Sequence, residues 1–429
     1  MPADFRPQPK IYPSRARCPS LDLVTTSRAG TAVGYRSVLR VPGLRAVFIA
    51  HAVSMIGTVA AQVALSILVF ERTGSPLLSA LVLVCSFLPY AVGGIALSSI
   101  SDRFPARRVL VCCDLISAAC IALMLIPGLG VGALLGLLLL TGIVAPIFAG
   151  ARAASLAQLL DAELFPIGRS LLRAIGQVTV LTGFALGAVA VAAIGPAWLL
   201  SLDVATFLAS AALIGFGTPY TPATGTTGST VRESISGLKY LLGNVRLRRL
   251  ILLSWVVPAF SSMPDGLAVA YTTETGAAAT AAGALFTGYS VGTVLGEIAA
   301  ARLKPSTRRR LVIPLILLSQ LPAIAFVATP GIAVAAVLLA ISGSGYAFNQ
   351  GIDPLILGAA DPAYRGRLFT VQTSGLMAIQ GVSIALAGAL GTFIRPGLTI
   401  TLAGVVGTVV TLVLARRALT REVEQPSRC

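Results

Sequence analysis

The sequence predicts an all-α membrane protein with twelve transmembrane helices in two parallel six-helix repeats. Three observations carry that prediction. The 429 residues are 56% hydrophobic and only 11% charged, where soluble domains carry about 25% charge, and the mean hydropathy is +0.88. Apolar runs of about 20 residues, the length a bilayer requires, recur along the chain. Between them the basic residues alternate, so that 30 of the 32 Lys and Arg fall on one side of the predicted membrane. Such a chain has too little polar surface to cover a water-soluble globule. A soluble enzyme, a nucleic-acid binder and a disordered tail are thereby excluded, although the net charge of +16 would otherwise point to nucleic acid.

Residues 1–43 are polar, Pro-rich and basic. They hold no apolar stretch followed by a cleavage site, so they read as a disordered tail and not as a secretory signal. Residues 44–216 form the first bundle, with apolar runs near 46–70, 77–100, 109–127, 132–151, 171–194 and 197–216. A polar joining segment, 217–248, begins with a Gly/Thr/Pro stretch. Thr230-Val231-Arg232-Glu233 then reads as a capping box. Val231, Ile235, Leu238, Leu241 and Leu242 give the apolar stripe of a short helix lying on the cytoplasmic membrane surface. The second bundle, 249–417, has runs near 249–272, 281–301, 311–328, 332–352, 368–393 and 398–415, and 418–429 is a polar tail. Turn signals such as Pro127-Gly128, Gly195-Pro196 and Pro330-Gly331 separate the runs.

The basic residues check these spans independently. With both termini in the cytoplasm, only Arg72 and Arg395 fall on the outer side, as the positive-inside rule requires of a multi-pass protein of the cell membrane. The repeat is legible as well. Leu44-Arg45 and Leu247-Arg248, Arg107-Arg108-Val109-Leu110-Val111 and Arg308-Arg309-Arg310-Leu311-Val312, and Asp161 and Asp361 are pairs offset by 200–203 residues. Six spans per repeat give both copies the same orientation, the parallel-repeat architecture of one large transporter class.

Chemistry-bearing patterns are few. The six cysteines form no CxxC or Cys/His spacing, so neither a metal site nor a disulfide framework is implied. The lysines, Lys10, Lys239 and Lys304, never follow a glycine, so no P-loop exists. No GxSxG elbow occurs either. These absences predict a non-enzyme without cofactor or metal, whose drive comes from an ion gradient, from facilitated diffusion or from another subunit. Polar residues do recur at helical spacing inside three spans. His51, Ser54, Thr58, Gln62 and Ser66 lie along one side of the first, Ser254, Ser261 and Asp265 along the seventh, and Ser342, Tyr346, Asn349 and Asp353 along the tenth.

Ionisable groups in spans are costly and default to function. Burial raises a carboxyl pKa toward neutrality, so that it can take and release a proton as access alternates. Asp265 is the first candidate for that role, flanked by Pro258 and Pro264, followed by Asp114, Asp203 and the only histidine, His51. Each has a plainer alternative, a hydrogen-bonded contact between helices. A largely apolar interior favours lipophilic cargo, since an anionic metabolite needs a cavity Arg or Lys and the near candidate is Arg173.

The loop between the second and third spans reads Ser98-Ser99-Ile100-Ser101-Asp102-Arg103-Phe104-Pro105-Ala106-Arg107-Arg108. It resembles the loop 2–3 signature of the major facilitator superfamily. Asp102, Arg103, Arg107 and Arg108 match that signature, while Ser98 and Pro105 replace its two glycines. Arg152-Ala153-Ala154 with Asp161, and Leu202-Asp203-Val204-Ala205-Thr206-Phe207, resemble the macrolide-efflux and enterobactin-exporter branch. Pro264-Asp265-Gly266-Leu267-Ala268 and Arg365-Gly366-Arg367 are similar to segments of its actinobacterial members. The fifth span departs from the proton-antiport pattern: Gly183-Phe184 and Gly187-Ala188 keep glycines but lose the proline.

The resemblance implies a monomeric secondary transporter in a lipid bilayer. Helices one, four, seven and ten would line a central cavity for a small amphipathic molecule, and a proton gradient would drive its export. It also implies a latch in which Asp102 meets Arg103 or Arg152 and the start of the eleventh helix, favoured by that helix's dipole. An importer or facilitator of the same fold, and a non-transporting sensor or assembly partner, are the alternatives.

Overall fold

The computed structural model describes residues 35–96, 104–161, 164–220, 238–361 and 364–419. The protein is all-helical, with no strand among the described residues. It crosses the membrane twelve times in two repeats of six. Eight helices are long and apolar enough to span by length and composition alone. One of them holds two spans, and local physics accounts for the other three.

Span 1 is Leu44–Thr73 and span 2 is Pro76–Ala96, 21 residues. Span 3, Ala106–Met124, carries Arg107, Arg108 and Asp114, one charge too many for a composition rule. Span 4 is Val131–Leu159. Spans 5 and 6 form one run, Phe165–Gly217, turned at Gly195 (φ 80°, ψ 165°). That left-handed φ is cheap only for glycine, and Pro196 then starts the next helix.

Several spans of the second half break inside the membrane. Span 7 is Val245–Ser261 followed by Met263–Glu274. Pro264 cannot donate into the preceding turn, so the break falls at Ser262. The Val257 carbonyl there accepts from Gln320 Nε2 at 3.0 Å. Span 8 is Ala282–Ala301. Span 9 is Val312–Gln320, tightening at Leu321-Pro322 into a 3₁₀ stretch, Leu321–Ala328. Span 10 is Ile332–Ser344, a 3₁₀ turn Gly345–Phe348, then Asn349–Ala359. Spans 11 and 12 are Arg365–Leu390 and Pro396–Leu419.

The repeat is visible in detail. Spans 4 and 10 end one residue before Leu160 and Ala360, which have nearly the same extended backbone. Asp161 and Asp361 each then accept, through the backbone carbonyl, the N–H of the residue three further on, at 3.0 and 2.9 Å. In the joining segment, residues 238–243 are helical. Tyr240 stacks on Tyr364, with ring centroids 4.4 Å apart, and its hydroxyl accepts the Asp361 N–H at 3.0 Å. Leu241 is buried with Leu247 and Leu250. This end of the segment therefore docks on the second half; residues 221–237, with the capping box, lie outside the described residues.

The placement of the core sets up the site. The face carrying the basic loops is called here the basic face. At the opposite face the two halves share one core. It joins Ala60, Ala64, Ala80 and Leu83 of spans 1 and 2 to Met263, Leu267, Phe286 and Ile384 of spans 7, 8 and 11. Toward the basic face the described buried residues fall into separate clusters. Val109, Leu110, Val144, Ala151 and Ile214 belong to one half, as do Leu44, Phe48 and Leu156. Leu250, Ile316, Ile352 and Leu368 belong to the other. The halves are thus clamped at one end, and among the described residues no buried cluster joins them at the basic end.

Candidate functional site

The clamp is built from close approaches between small and flat side chains. Ala188 of span 5 lies where a side chain on Gly283 of span 8 would sit. One turn away Phe184 stacks on Phe286, with centroids 5.0 Å apart and planes 14° from parallel. Gly388 of span 11 accommodates Ala80 and Leu77 of span 2 in the same way.

Just inside the clamp, span 7 resumes after its break and places Asp265 in its first turn. Asp265 is half-buried; its backbone N–H donates to the Ser262 carbonyl at 3.1 Å, and its carboxylate has no hydrogen-bond or ion-pair partner among the described residues. Across from it Tyr289 of span 8 approaches Ser261, their hydroxyls 3.3 Å apart. The Tyr289 phenol is near enough to Asp265 and to Tyr346 of span 10 to interact electrostatically with both. Spans 7, 8 and 10 thereby bring Ser261, Asp265, Tyr289 and Tyr346 together. The polar stripes on spans 1, 7 and 10 do not mark Tyr289, which stands on span 8. An isolated tyrosine in the apolar, Gly-rich run 282–301 was the available signal.

The other marked residues take different places. On span 1, two members of the stripe meet span 2. Gln62 Nε2 donates to Ser86 Oγ at 2.8 Å, and the Ser66 carbonyl accepts from Ser79 Oγ at 2.9 Å. Thr58 Oγ1 donates to the Ser54 carbonyl at 2.9 Å, which satisfies it within its own helix. On span 10, Ser342 Oγ donates to the Ser319 carbonyl of span 9 at 2.6 Å, and Asn349 Nδ2 to the Tyr346 carbonyl at 3.3 Å.

Two further carboxyls are buried within the first half. Asp114 of span 3 accepts from Ser210 Oγ of span 6 at 2.6 Å. Asp203 of span 6 is 1% exposed. Its Oδ1 accepts from Thr206 Oγ1 at 3.1 Å, while Oδ2 has no partner. The room for it comes from Gly57 of span 1, where a side chain would overlap Asp203 and Thr206.

Near the basic face, Arg152 Nη1 of span 4 donates to His51 Nδ1 of span 1 at 2.5 Å. The expected partner, Asp102, lies outside the described residues together with Arg103. Arg107 and Arg108 open span 3, with the Arg108 guanidinium 5.7 Å from the Tyr220 ring centre. Among the described residues no group of three or more His, Cys, Asp or Glu could hold a metal ion.

The family profile described as Major Facilitator Superfamily matches residues 47–273, more than half of the chain. The chain belongs to the Major Facilitator Superfamily. Solved members and relatives share its fold at low identity. A bacterial homologue of the human lysosomal transporter Spinster, in an inward-facing and occupied conformation, is 13% identical with a TM-score of 0.67; the match covers 93% of this chain and 100% of that one. A POT family transporter in complex with a thioalcohol-conjugated peptide is 10% identical with a TM-score of 0.68, covering 89% and 97%. A D323A variant of the nucleoside transporter NupG is 13% identical with a TM-score of 0.65, covering 88% and 99%. No curated protein matches the chain in sequence. As a superfamily member it is an integral multi-pass membrane protein with a transporter's fold, and the central space between its halves is where such a fold handles a small molecule.

Proposed function

We propose that the protein is a secondary transporter that exports a small amphipathic organic compound across the cell membrane in exchange for protons. The observation that carries this reading is the clamp, a core shared by both halves at the end opposite the basic loops. A clamp closed at one end is one of the two end states that alternating access requires. The positive-inside rule puts the basic face, and with it both termini, in the cytoplasm. The cavity would then face inward, ready to load cargo for export.

Asp265 is the proposed proton carrier. It is half-buried beside the clamp and carries no cation partner among the described residues. A carboxyl placed there is neutral when dehydrated and ionises when the site opens to water. Its charge state thus biases which end is open. The resemblance to the efflux branch supports outward movement, and the largely apolar interior read from the sequence supports lipophilic cargo.

The test uses everted vesicles, a pH-sensitive dye and a panel of lipophilic antibiotics, dyes and siderophores. Cargo-dependent proton release by the wild type, lost in Asp265→Asn at equal membrane insertion, is the expected result. Proton release that survives in Asp265→Asn removes Asp265 from the mechanism. Counterflow of a labelled solute without any proton signal replaces antiport by facilitated movement.

A further inference from the structure

At the clamped face a crevice of about 500 Å³ lies open between the halves, a volume within the range of small-molecule sites. The end of span 1 and the start of span 2 line it from the first half. The end of span 7 and the segment between spans 11 and 12 line it from the second. The connecting segments of this face, residues 74–75, 125–130, 195–196, 275–281, 329–331 and 391–395, are all described. None of Ser261, Asp265, Tyr289 and Tyr346 belongs to its lining, so it is separate from the interior site.

The polar part of its wall chiefly accepts hydrogen bonds. Thr73 Oγ1 donates to the Val69 carbonyl at 2.7 Å, Thr273 Oγ1 to the Val269 carbonyl at 3.3 Å, and Thr392 Oγ1 to the Ala389 carbonyl at 2.6 Å. Each threonine has thereby spent its single hydrogen, and only lone pairs remain. Glu274 Oε2 accepts the Gly397 N–H at 2.7 Å, and Oε1 has no partner among the described residues. Two helices begin here, but each opens on a proline without an N–H, Pro76 and Pro396. Three helices end here, spans 1, 7 and 11, at Thr73, Glu274 and Leu390. Their C-terminal ends carry partial negative charge, which favours a cation. The arginines of this face do not occupy the crevice. Arg72 Nη1 donates to the Leu129 carbonyl at 3.2 Å, and Arg395 is exposed and outside the lining. Phe70, Ala270 and the two prolines add apolar wall beside the acceptors.

We propose that this crevice binds a small organic ammonium compound from the clamped face, with Glu274 Oε1 and the threonine lone pairs taking its N–H donors and Phe70 against its apolar part. A primary ammonium has three N–H donors and no acceptor, the converse of this wall. Because the walls come from both halves, the crevice is whole only while the clamp is shut. An occupant therefore favours the closed state. Binding stands on the crevice alone; the effect on the clamp rests on the transporter reading.

The experiment uses the full chain in phosphatidylcholine nanodiscs at neutral pH. The probe is radiolabelled 2-phenylethylamine, and 2-phenylethanol is its uncharged counterpart. Unlabelled amine should displace the probe at concentrations at least about tenfold lower than the alcohol, the discrimination that charge-assisted hydrogen bonds provide. Glu274→Gln keeps an oxygen for the Gly397 N–H and removes the charge, so the preference should vanish. Equal displacement by amine and alcohol in the wild type, no saturable amine binding, or a preference that persists in Glu274→Gln overturns the proposal. The comparison on the wild type needs no variant to fold. The clamp is read with Tyr289→Cys and Phe184→Ala in a chain whose native cysteines are serine, labelled from the clamped face with an impermeant maleimide. Amine at a hundred times its dissociation constant favours the shut clamp about a hundredfold. It should slow that labelling by at least about tenfold while the alcohol does not, and an unchanged rate overturns the effect on the clamp. Failure of amine selectivity with cargo-driven proton release intact in vesicles removes the crevice site and leaves the transport reading standing; the reverse pattern removes transport and leaves the site.

Discussion

Replacing Phe184 by alanine weakens the clamp at a place where only the closed state has a contact to lose. The ring of Phe184 on span 5 stacks on Phe286 of span 8 at a centroid distance of 5.0 Å, and Phe286 is 3% exposed. An aromatic pair contributes about 0.5–1.5 kcal/mol beyond area burial. Burying a whole Phe side chain is worth about 1.5–3 kcal/mol, and Phe184 is only half-buried, which adds roughly 1 kcal/mol. The variant should therefore lose about 1.5–2.5 kcal/mol of clamp stability, a shift of roughly ten- to seventyfold in the closed-to-open ratio. A minor open state at about 1% would rise to roughly 10–40%. Spin labels at Glu71→Cys and Ala278→Cys, exposed at the clamped face on opposite halves, read this by pulsed electron resonance once the native cysteines are serine. A longer-distance population that appears in Phe184→Ala is the expected result. An unchanged distance distribution would refute the assignment of this pair to the gate.

Two other sites give sharp expectations. Gly288, Gly292 and Gly296 of span 8 lie against the backbone of Ala336, Ala340 and Ser344 of span 10, so closely that any side chain would overlap a carbonyl. Gly292→Val should cost about 1–3 kcal/mol and lower the melting temperature in detergent, and an unchanged melt would contradict this packing. Ser210→Ala, which removes the 2.6 Å bond to Asp114, should cost about 0.6–1.7 kcal/mol and leave cargo-driven proton release in place. Loss of that release at unchanged stability would make Asp114 a proton site instead.

The spans were legible because lipid imposes a length and a composition on every crossing, and because the basic loops had to alternate with them. Asp161 and Asp361 marked the repeat, and both close the same turn. Helix rotation was less legible. Ser342 has the spacing of a cavity residue, yet its hydroxyl is spent on the Ser319 carbonyl of span 9, since periodicity gives a face but not what the face meets. The 3₁₀ turn at Gly345–Phe348 also shifts the register between Ser342 and Asn349, so an uninterrupted stripe was not to be had. Arg152 and His51 are 101 residues apart, and nothing local relates them. Tyr289 is not legible from periodicity, because the polar stripes lie on spans 1, 7 and 10 and it stands on span 8.

The central claim is that one interior site faces the two sides in turn. Tyr289→Cys, in a background with the native cysteines replaced by serine, places one thiol beside Asp265 and inside the clamp. A membrane-impermeant maleimide is then applied to vesicles of each orientation. The account predicts reaction from the basic face alone, with reactivity from the other face gained on adding Phe184→Ala. Equal reaction from both faces in the parent would make the interior a pore, and reaction from neither, before or after Phe184→Ala, would mean that no accessible central site exists.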